Sequence, residues 1–296
     1  MSRREAGWGG GQTGRERHTT ERRCRPAGTG HRKASEVPPR PRKGATVIAV
    51  ANQKGGVAKT TSVASLGAAF AELGKRVLLV DLDPQACLTF SLGVDPETVE
   101  ASMHDVLTGR SELGDILLEC ADGVDLAPSS IDLAGTEAVL LGRPGREFIL
   151  GNALAAEAKT YDIVLLDCSP SLGVLTLGAL TAADGLIIPM PCEMLGHRGV
   201  GQLLDTVRDV KKILNKKLTV IGVLPTMFDG RSAHQQEVLA DVGERYGLPV
   251  LTPPIPRTVR FAEAPAVGRS ILETARTSKG AKAYRAVATD ILTRVG

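Results

Sequence analysis

From residue 46 onward the chain alternates between short, unbroken apolar runs and longer stretches of mixed polarity. The apolar runs lie at 46–51, 76–81, 161–167, 185–189 and 218–224. Apolar runs this short, with no regular polar alternation, predict strands buried on both faces. Between them, apolar residues recur at helical spacing from the early sixties to about residue 73, over 195–214 and over 232–246. Gly74 supplies the turn out of the first of these helices into the strand at 76–81. Strands alternating with helices predict a mainly parallel sheet covered by helices on both faces, an α/β fold. The pattern shows no internal repeat and no second boundary, so one domain is expected over 45–296. Aromatics are only 3% of the chain, which requires an aliphatic core and suits such a sheet.

Residues 1–44 break the pattern. They are rich in Arg, Gly, Pro and Thr and end in Pro38-Pro39-Arg40-Pro41-Arg42-Lys43-Gly44. So few apolar side chains cannot offset the entropy lost on ordering, and a disordered basic tail is expected. Its net charge of +8 leaves the remainder at −5 out of the overall +3. Contact with a polyanion by the body must then come from a local basic patch rather than from its average charge. The tail reads either as a weak, salt-sensitive tether to nucleic acid or as an inert leader. Gly9-x-Gly11-x-x-Gly14 has dinucleotide-fingerprint spacing, but no strand precedes it and no helix follows, so it is a chance match. No apolar run is long enough to span a bilayer, and no apolar segment follows the first charged residues as a secretory signal requires. A cytoplasmic protein is expected. The five cysteines, Cys24, Cys87, Cys120, Cys168 and Cys192, form no metal-ligand or C-x-x-C pattern and are expected to be free thiols.

The strongest chemical signal is Lys54-Gly55-Gly56-Val57-Ala58-Lys59-Thr60-Thr61, set between a predicted strand and a predicted helix. A Gly-rich turn lets successive backbone N–H groups converge on phosphate oxygens, and the helix N-terminus adds its positive dipole end. Lys59 is then placed to neutralise the distal phosphates, and Thr60 to offer its hydroxyl to Mg²⁺. Asp81-Leu82-Asp83-Pro84-Gln85 closes the second strand, and Asp167 closes the third. Both lie on the carboxyl edge, where open α/β sheets bind ligands. Taken alone, each carboxylate reads equally as a strand cap or turn former.

The phosphate loop departs from the ordinary pattern: Gln53 and Ala58 stand at its two glycine positions, and Lys54 precedes Lys59 by five residues. This K-G-G-x-x-K-T form resembles the deviant Walker A box of the ParA/MinD ATPases, and the resemblance extends over residues 46–295. It implies a P-loop NTPase fold that binds ATP and Mg²⁺ through residues 54–61 and hydrolyses ATP with weak intrinsic activity. It also implies that Lys54 reaches the partner's nucleotide in an ATP-dependent homodimer. Asp83 then positions the attacking water and Asp167 holds Mg²⁺ through water, so that Lys54, Lys59 and Asp83 are the catalytic set and Thr60 and Asp167 the metal set. The resemblance also makes residues 81–85 the first switch and residues 161–176 the Walker B and second-switch segment, in which Ser169 stands where relatives often carry Pro and is expected to loosen it.

Residues 226–231, 255–265 and 278–285 resemble the ParA/Soj branch in particular. There the resemblance gives Arg231 and Arg260 to non-specific DNA binding, extended by Lys279, Lys282 and Arg285, and puts Pro256 and Thr258 near the adenine. Solvated surface or structural ion pairs is the alternative for these cations. The implied activity is chromosome or plasmid partitioning on the nucleoid, with hydrolysis stimulated by a ParB-like partner. Glu193-Met194-Leu195-Gly196-His197-Arg198-Gly199 departs from the branch pattern at an expected interface. Two other classes share the box. A MinD-like positioning ATPase acting on a membrane or protein cargo calls for a terminal basic amphipathic helix, whereas residues 290–296 read as the end of a packed helix, so no stable membrane anchor is expected. An electron carrier needs cluster ligands that Cys120 and Cys168 do not resemble.

Overall fold

The computed structural model describes residues 24–27, 44–192 and 196–295. Its eight strands are β1 (Arg25–Pro26), β2 (Thr46–Val50), β3 (Val77–Leu82), β4 (Leu118–Glu119), β5 (Asp125–Ala127), β6 (Ile163–Cys168), β7 (Gly185–Pro191) and β8 (Thr219–Thr226). They form one sheet in the order β1-β4-β5-β3-β6-β2-β7-β8. The five central pairings are parallel, and β4 pairs antiparallel with both β1 and β5. The helices are α1 (Lys59–Glu72), α2 (Cys87–Ser91), α3 (Met103–Thr108), α4 (Leu133–Leu141), α5 (Arg146–Glu157), α6 (Val174–Ala182), α7 (Gly196–Ile213), α8 (Ala233–Tyr246), α9 (Arg260–Glu263), α10 (Ile271–Thr274) and α11 (Lys279–Val295). The α/β fold expected from the apolar runs is the fold observed.

The central strands alternate their side chains between two aliphatic cores. One face of the sheet, with Val47, Leu78, Val164 and Leu186, packs against α3 to α7. The other, with Ile48, Leu79, Leu165 and Ile187, packs against α1, α10 and α11. Helix α1 approaches the sheet very closely: a Cβ added at Gly67 would lie 2.7 Å from Leu79 Cδ2. Its run of Ala, Ser and Gly therefore serves close packing, and Tyr284 of α11 closes the outer side with its hydroxyl 3.0 Å from Ser62 Oγ.

Two expectations are corrected at the sheet edge. Within the tail, Arg25 and Pro26 pair with Glu119 and Leu118, so these two residues add a strand instead of remaining unstructured. Cys24 and Cys120 form a disulfide, with Cα atoms 4.4 Å apart, and are not free thiols. The physical reason is the short edge strand β4, whose unpaired backbone groups favour an added strand; the 96-residue separation conceals the pair in the sequence. Cys87 (exposed) and Cys168 and Cys192 (both buried) are free. The rest of the tail, residues 193–195 and the side chains of 196–199, His197 among them, lie outside the described residues. No helix among the described residues is long and apolar enough to cross a membrane.

Candidate nucleotide site

Strand order places the chemistry. Strands β3, β6 and β2 are neighbours, and their register sets Asp81 beside Asp167 and Val50 beside Asp167. The carboxyl ends of these three strands thus bring together residues more than eighty positions apart. The connection from β2 through α1 to β3 passes over β6, while β7 lies on the other side of β2. This reversal is where open α/β sheets leave a crevice for ligands.

The loop from Asn52 to Ala58 leads directly into α1, whose N-terminus has no side-chain cap. Its first N–H groups are therefore left for a ligand. Gly55 and Gly56 are exposed, and a Cβ added at either would meet nothing within 4 Å, so the loop borders an open cradle. Asn52 is buried beneath it; its Nδ2 donates to the Pro189 carbonyl at 2.7 Å, and its Oδ1 accepts from the Lys54 N–H at 3.0 Å. From the other side, the Thr226 hydroxyl donates to the Val57 carbonyl at 3.1 Å. Lys59 lies across the loop, its Nζ donating to the Lys54 carbonyl at 3.3 Å. Burial lowers the Lys59 pKa, and the nearby Asp167 and Asp83 carboxylates oppose that shift. Phosphate oxygens would supply further compensation for the buried ammonium.

Ala58 adopts φ 67° and ψ 34°, the left-handed conformation. A Cβ in that region costs roughly 1–2 kcal/mol, of which glycine's greater unfolded-state freedom returns roughly 0.4–1. Ala58→Gly is therefore expected to stabilise the fold by about 0.5–1 kcal/mol, raising the urea midpoint at unchanged slope. An unchanged or lowered midpoint would contradict that.

Asp167 is buried, and its Oδ2 accepts from the Thr60 hydroxyl at 2.7 Å. Its Oδ1 is buried without a hydrogen-bond partner. Burial pushes its pKa well up, and Asp81 pushes it further, while Thr60 and Lys59 pull the other way. Asp81, also fully buried, is raised to about 6 by burial, against hydrogen bonds from Thr89 and from the Asp83 N–H. A divalent cation at Asp167 would relieve the repulsion between these two buried carboxylates, with the partly exposed Asp83 nearby. The free Asp167 Oδ1 beside the Thr60 hydroxyl fits the Mg²⁺ position; the ion, when bound, offsets phosphate charge there.

The outer residues are placed by the ends of β8. Beyond Thr226, Phe228 forms a bridge to Pro256 and donates its N–H to the Ile255 carbonyl at 2.9 Å. The bridge thus ties the segment bearing Pro256 and Thr258 to the end of β8, whose Thr226 meets the phosphate loop. Arg231 follows Phe228 by three residues and Arg260 follows Pro256 by four. Arg231 is almost fully exposed, 3.4 Å from Asp229, and the exposed Arg260 lies 2.9 Å from Glu263. Lys279 and Lys282 are exposed. Arg285 departs from the expected basic face: it clamps Glu72 of α1 through bonds of 2.6 and 2.9 Å and serves helix packing. Asn52 and Thr226 are supports that motif reading passed over. Asn52 stands at the head of the box and was open to notice; Thr226 is tied to it only by the fold.

The AAA_31 family, an AAA domain, matches residues 45–220. The chromosome-partitioning ATPase Soj of Thermus thermophilus is 46% identical over 248 residues, spanning 84% of this chain and 96% of that protein. The sporulation initiation inhibitor protein Soj of Bacillus subtilis is 43% identical over 246 residues, spanning 83% and 97%. A solved structure of cobyrinic acid a,c-diamide synthase from Mycobacterium smegmatis with bound ADP and magnesium is 54% identical, with a TM-score of 0.76 and coverage of 84% and 94%. A second solved structure of that synthase, at the same identity and TM-score, holds an ATP analog and magnesium. With its deviant phosphate loop, its paired switch carboxylates and this likeness over most of its length, the chain belongs to the ParA/Soj class of P-loop ATPases.

Proposed function

We propose that ATP closes two copies of this chain face to face, and that the dimer binds DNA without sequence preference and partitions a chromosome or plasmid. The observation that carries this reading is the second lysine, Lys54, held on the same loop as Lys59. A loop-borne cation beyond what one triphosphate site requires is suited to a second triphosphate brought in by a partner subunit. In this reading Lys59 and the loop N–H groups hold the β- and γ-phosphates, Thr60 and Asp167 hold Mg²⁺, and Asp83 orients the attacking water. Pro256 and Thr258 flank the adenine. Turnover is slow, because a positioned water without added transition-state charge hydrolyses poorly, and a ParB-like partner raises it. Arg231 and Arg260, doubled by the two-fold axis, supply a modest phosphate-binding face on the nucleoid that salt weakens steeply.

Asp83→Ala is expected to keep ATP binding and dimerisation while losing turnover by about 10²-fold or more, so that the dimer stays on DNA. Phosphate release and DNA retention, measured on the same preparation, decide it. Turnover at the wild-type rate would remove Asp83 from its role. The 54% identity to the diamide synthase structure favours a second reading, in which ATP activates a carboxylate for amide formation. That reading requires phosphate release to depend on cobyrinic acid and an amine donor; release without either leaves the first reading standing.

A further inference from the structure

Asp83 is held by a closed ring of hydrogen bonds that reaches outside the phosphate loop and the two switch motifs. The Asp83 N–H donates to Asp81 Oδ1 at 3.1 Å. Asp81 Oδ2 accepts from the Thr89 hydroxyl at 2.7 Å and from the Thr89 N–H at 2.9 Å. The Thr89 oxygen in turn accepts from the Ser129 N–H at 2.9 Å. The Ser129 hydroxyl completes the ring by donating to the Asp83 carbonyl at 2.9 Å. Asp81, Thr89 and Ser129 are all fully buried, whereas Asp83 is only partly so. The ring therefore engages both backbone polar groups of Asp83, whose carbonyl also accepts from the Ala86 N–H at 2.8 Å, and among the described residues its carboxylate Oδ1 accepts from the N–H of Gln85 at 2.9 Å.

The geometry points to Thr89, on α2, and Ser129, just past the end of β5, as positioning residues for Asp83. They do not touch the reacting atoms. Ser129 lies 46 residues beyond Asp83 and arrives through β5, the strand next to β3. Buried Asp81, Thr89 and Ser129 lack water as a substitute partner, so losing the Ser129 hydroxyl leaves the Asp83 carbonyl to the Ala86 N–H alone, and losing the Thr89 hydroxyl loosens Asp81 and with it the Asp83 N–H. Misplacing a water-orienting carboxylate by a fraction of an ångström lowers turnover without weakening ground-state binding. The inference rests on the proposed role of Asp83, and its test separates the two.

Steady-state hydrolysis and nucleotide affinity are to be measured for Ser129→Ala, Thr89→Val, Thr89→Ser, the double variant Ser129→Ala/Thr89→Val, and Asp83→Ala. The expected result is about a tenfold fall in kcat for each hydroxyl deletion, with the KM and Kd for ATP within about twofold of wild type. Thr89→Ser retains the hydroxyl and is expected to restore kcat to within about twofold of wild type, a rescue that mere loss of packing would not give. The double variant is expected to fall little further than either single one, since both break one ring. Wild-type kcat in the hydroxyl deletions, alongside a deficient Asp83→Ala, would overturn the positioning role while leaving Asp83 in place. A fall in ATP affinity matching the fall in kcat would also overturn it, because the ring would then serve binding. Wild-type turnover in Asp83→Ala would instead refute the role of Asp83. Should Thr89→Val fail to fold, Ser129→Ala against Thr89→Ser decides alone.

Discussion

Lys59→Ala is expected to lower kcat/KM for ATP by about 10²–10³-fold, the range found when one preorganised donor to a developing phosphate or oxyanion charge is removed. The side chain is well placed for so large an effect. It is buried, it crosses the loop to the Lys54 carbonyl, and it stands against Asp167 and Asp83. Removing it deletes the positive charge nearest the phosphates and leaves the buried carboxylates without their compensating cation. Part of the loss is therefore expected in ATP affinity, which titration with a fluorescent ATP analogue measures beside turnover. A Lys59→Ala protein that binds and hydrolyses ATP like the wild type would contradict the assignment of the loop.

Lys54→Ala is expected to act differently. In the proposed dimer Lys54 serves the partner's nucleotide, so the isolated variant should bind ATP within about threefold of wild type while its dimer weakens by about 30- to 5,000-fold. That range follows from the 2–5 kcal/mol lost when one member of a buried, hydrogen-bonded charge pair is removed from an interface. Sedimentation velocity with ATP, across a range of protein concentrations, reads the two species directly. Retention of the ATP dimer would remove the cross-subunit role of Lys54, and loss of monomer binding would place the lysine in its own site instead.

The parts of this molecule that were legible in its sequence are those encoded locally. The buried strands at 46–51, 76–81, 161–167, 185–189 and 218–224 announce themselves as aliphatic runs, and each overlaps a strand of the sheet. The phosphate loop is a contiguous string whose spacing states its chemistry. Strands β4 and β5 have only two and three residues and leave no periodic trace. Their pairing, and with it the docking of Arg25 and Pro26, depends on an edge that exists only once the sheet has formed. The disulfide between Cys24 and Cys120 was hidden for the same reason. Arg285 illustrates the opposite error: a cation grouped with its sequence neighbours as surface charge is held by Glu72, which lies 213 residues away. Ser129 and Thr226 look like ordinary strand-end hydroxyls until the fold brings them to the Asp83 and Val57 carbonyls.

The central claim is a switch in DNA affinity governed by ATP. Its most direct test is co-sedimentation with non-specific DNA at two salt concentrations, with ATP, ADP or no nucleotide, comparing the wild type with Lys54→Ala and with Arg231→Ala/Arg260→Ala. The account predicts binding by the wild type with ATP alone, weakened steeply by salt and lost in both variants, with dimerisation intact in the arginine variant. Absence of DNA binding in every nucleotide state, despite an ATP-dependent dimer, would contradict it and direct attention to a membrane or protein cargo.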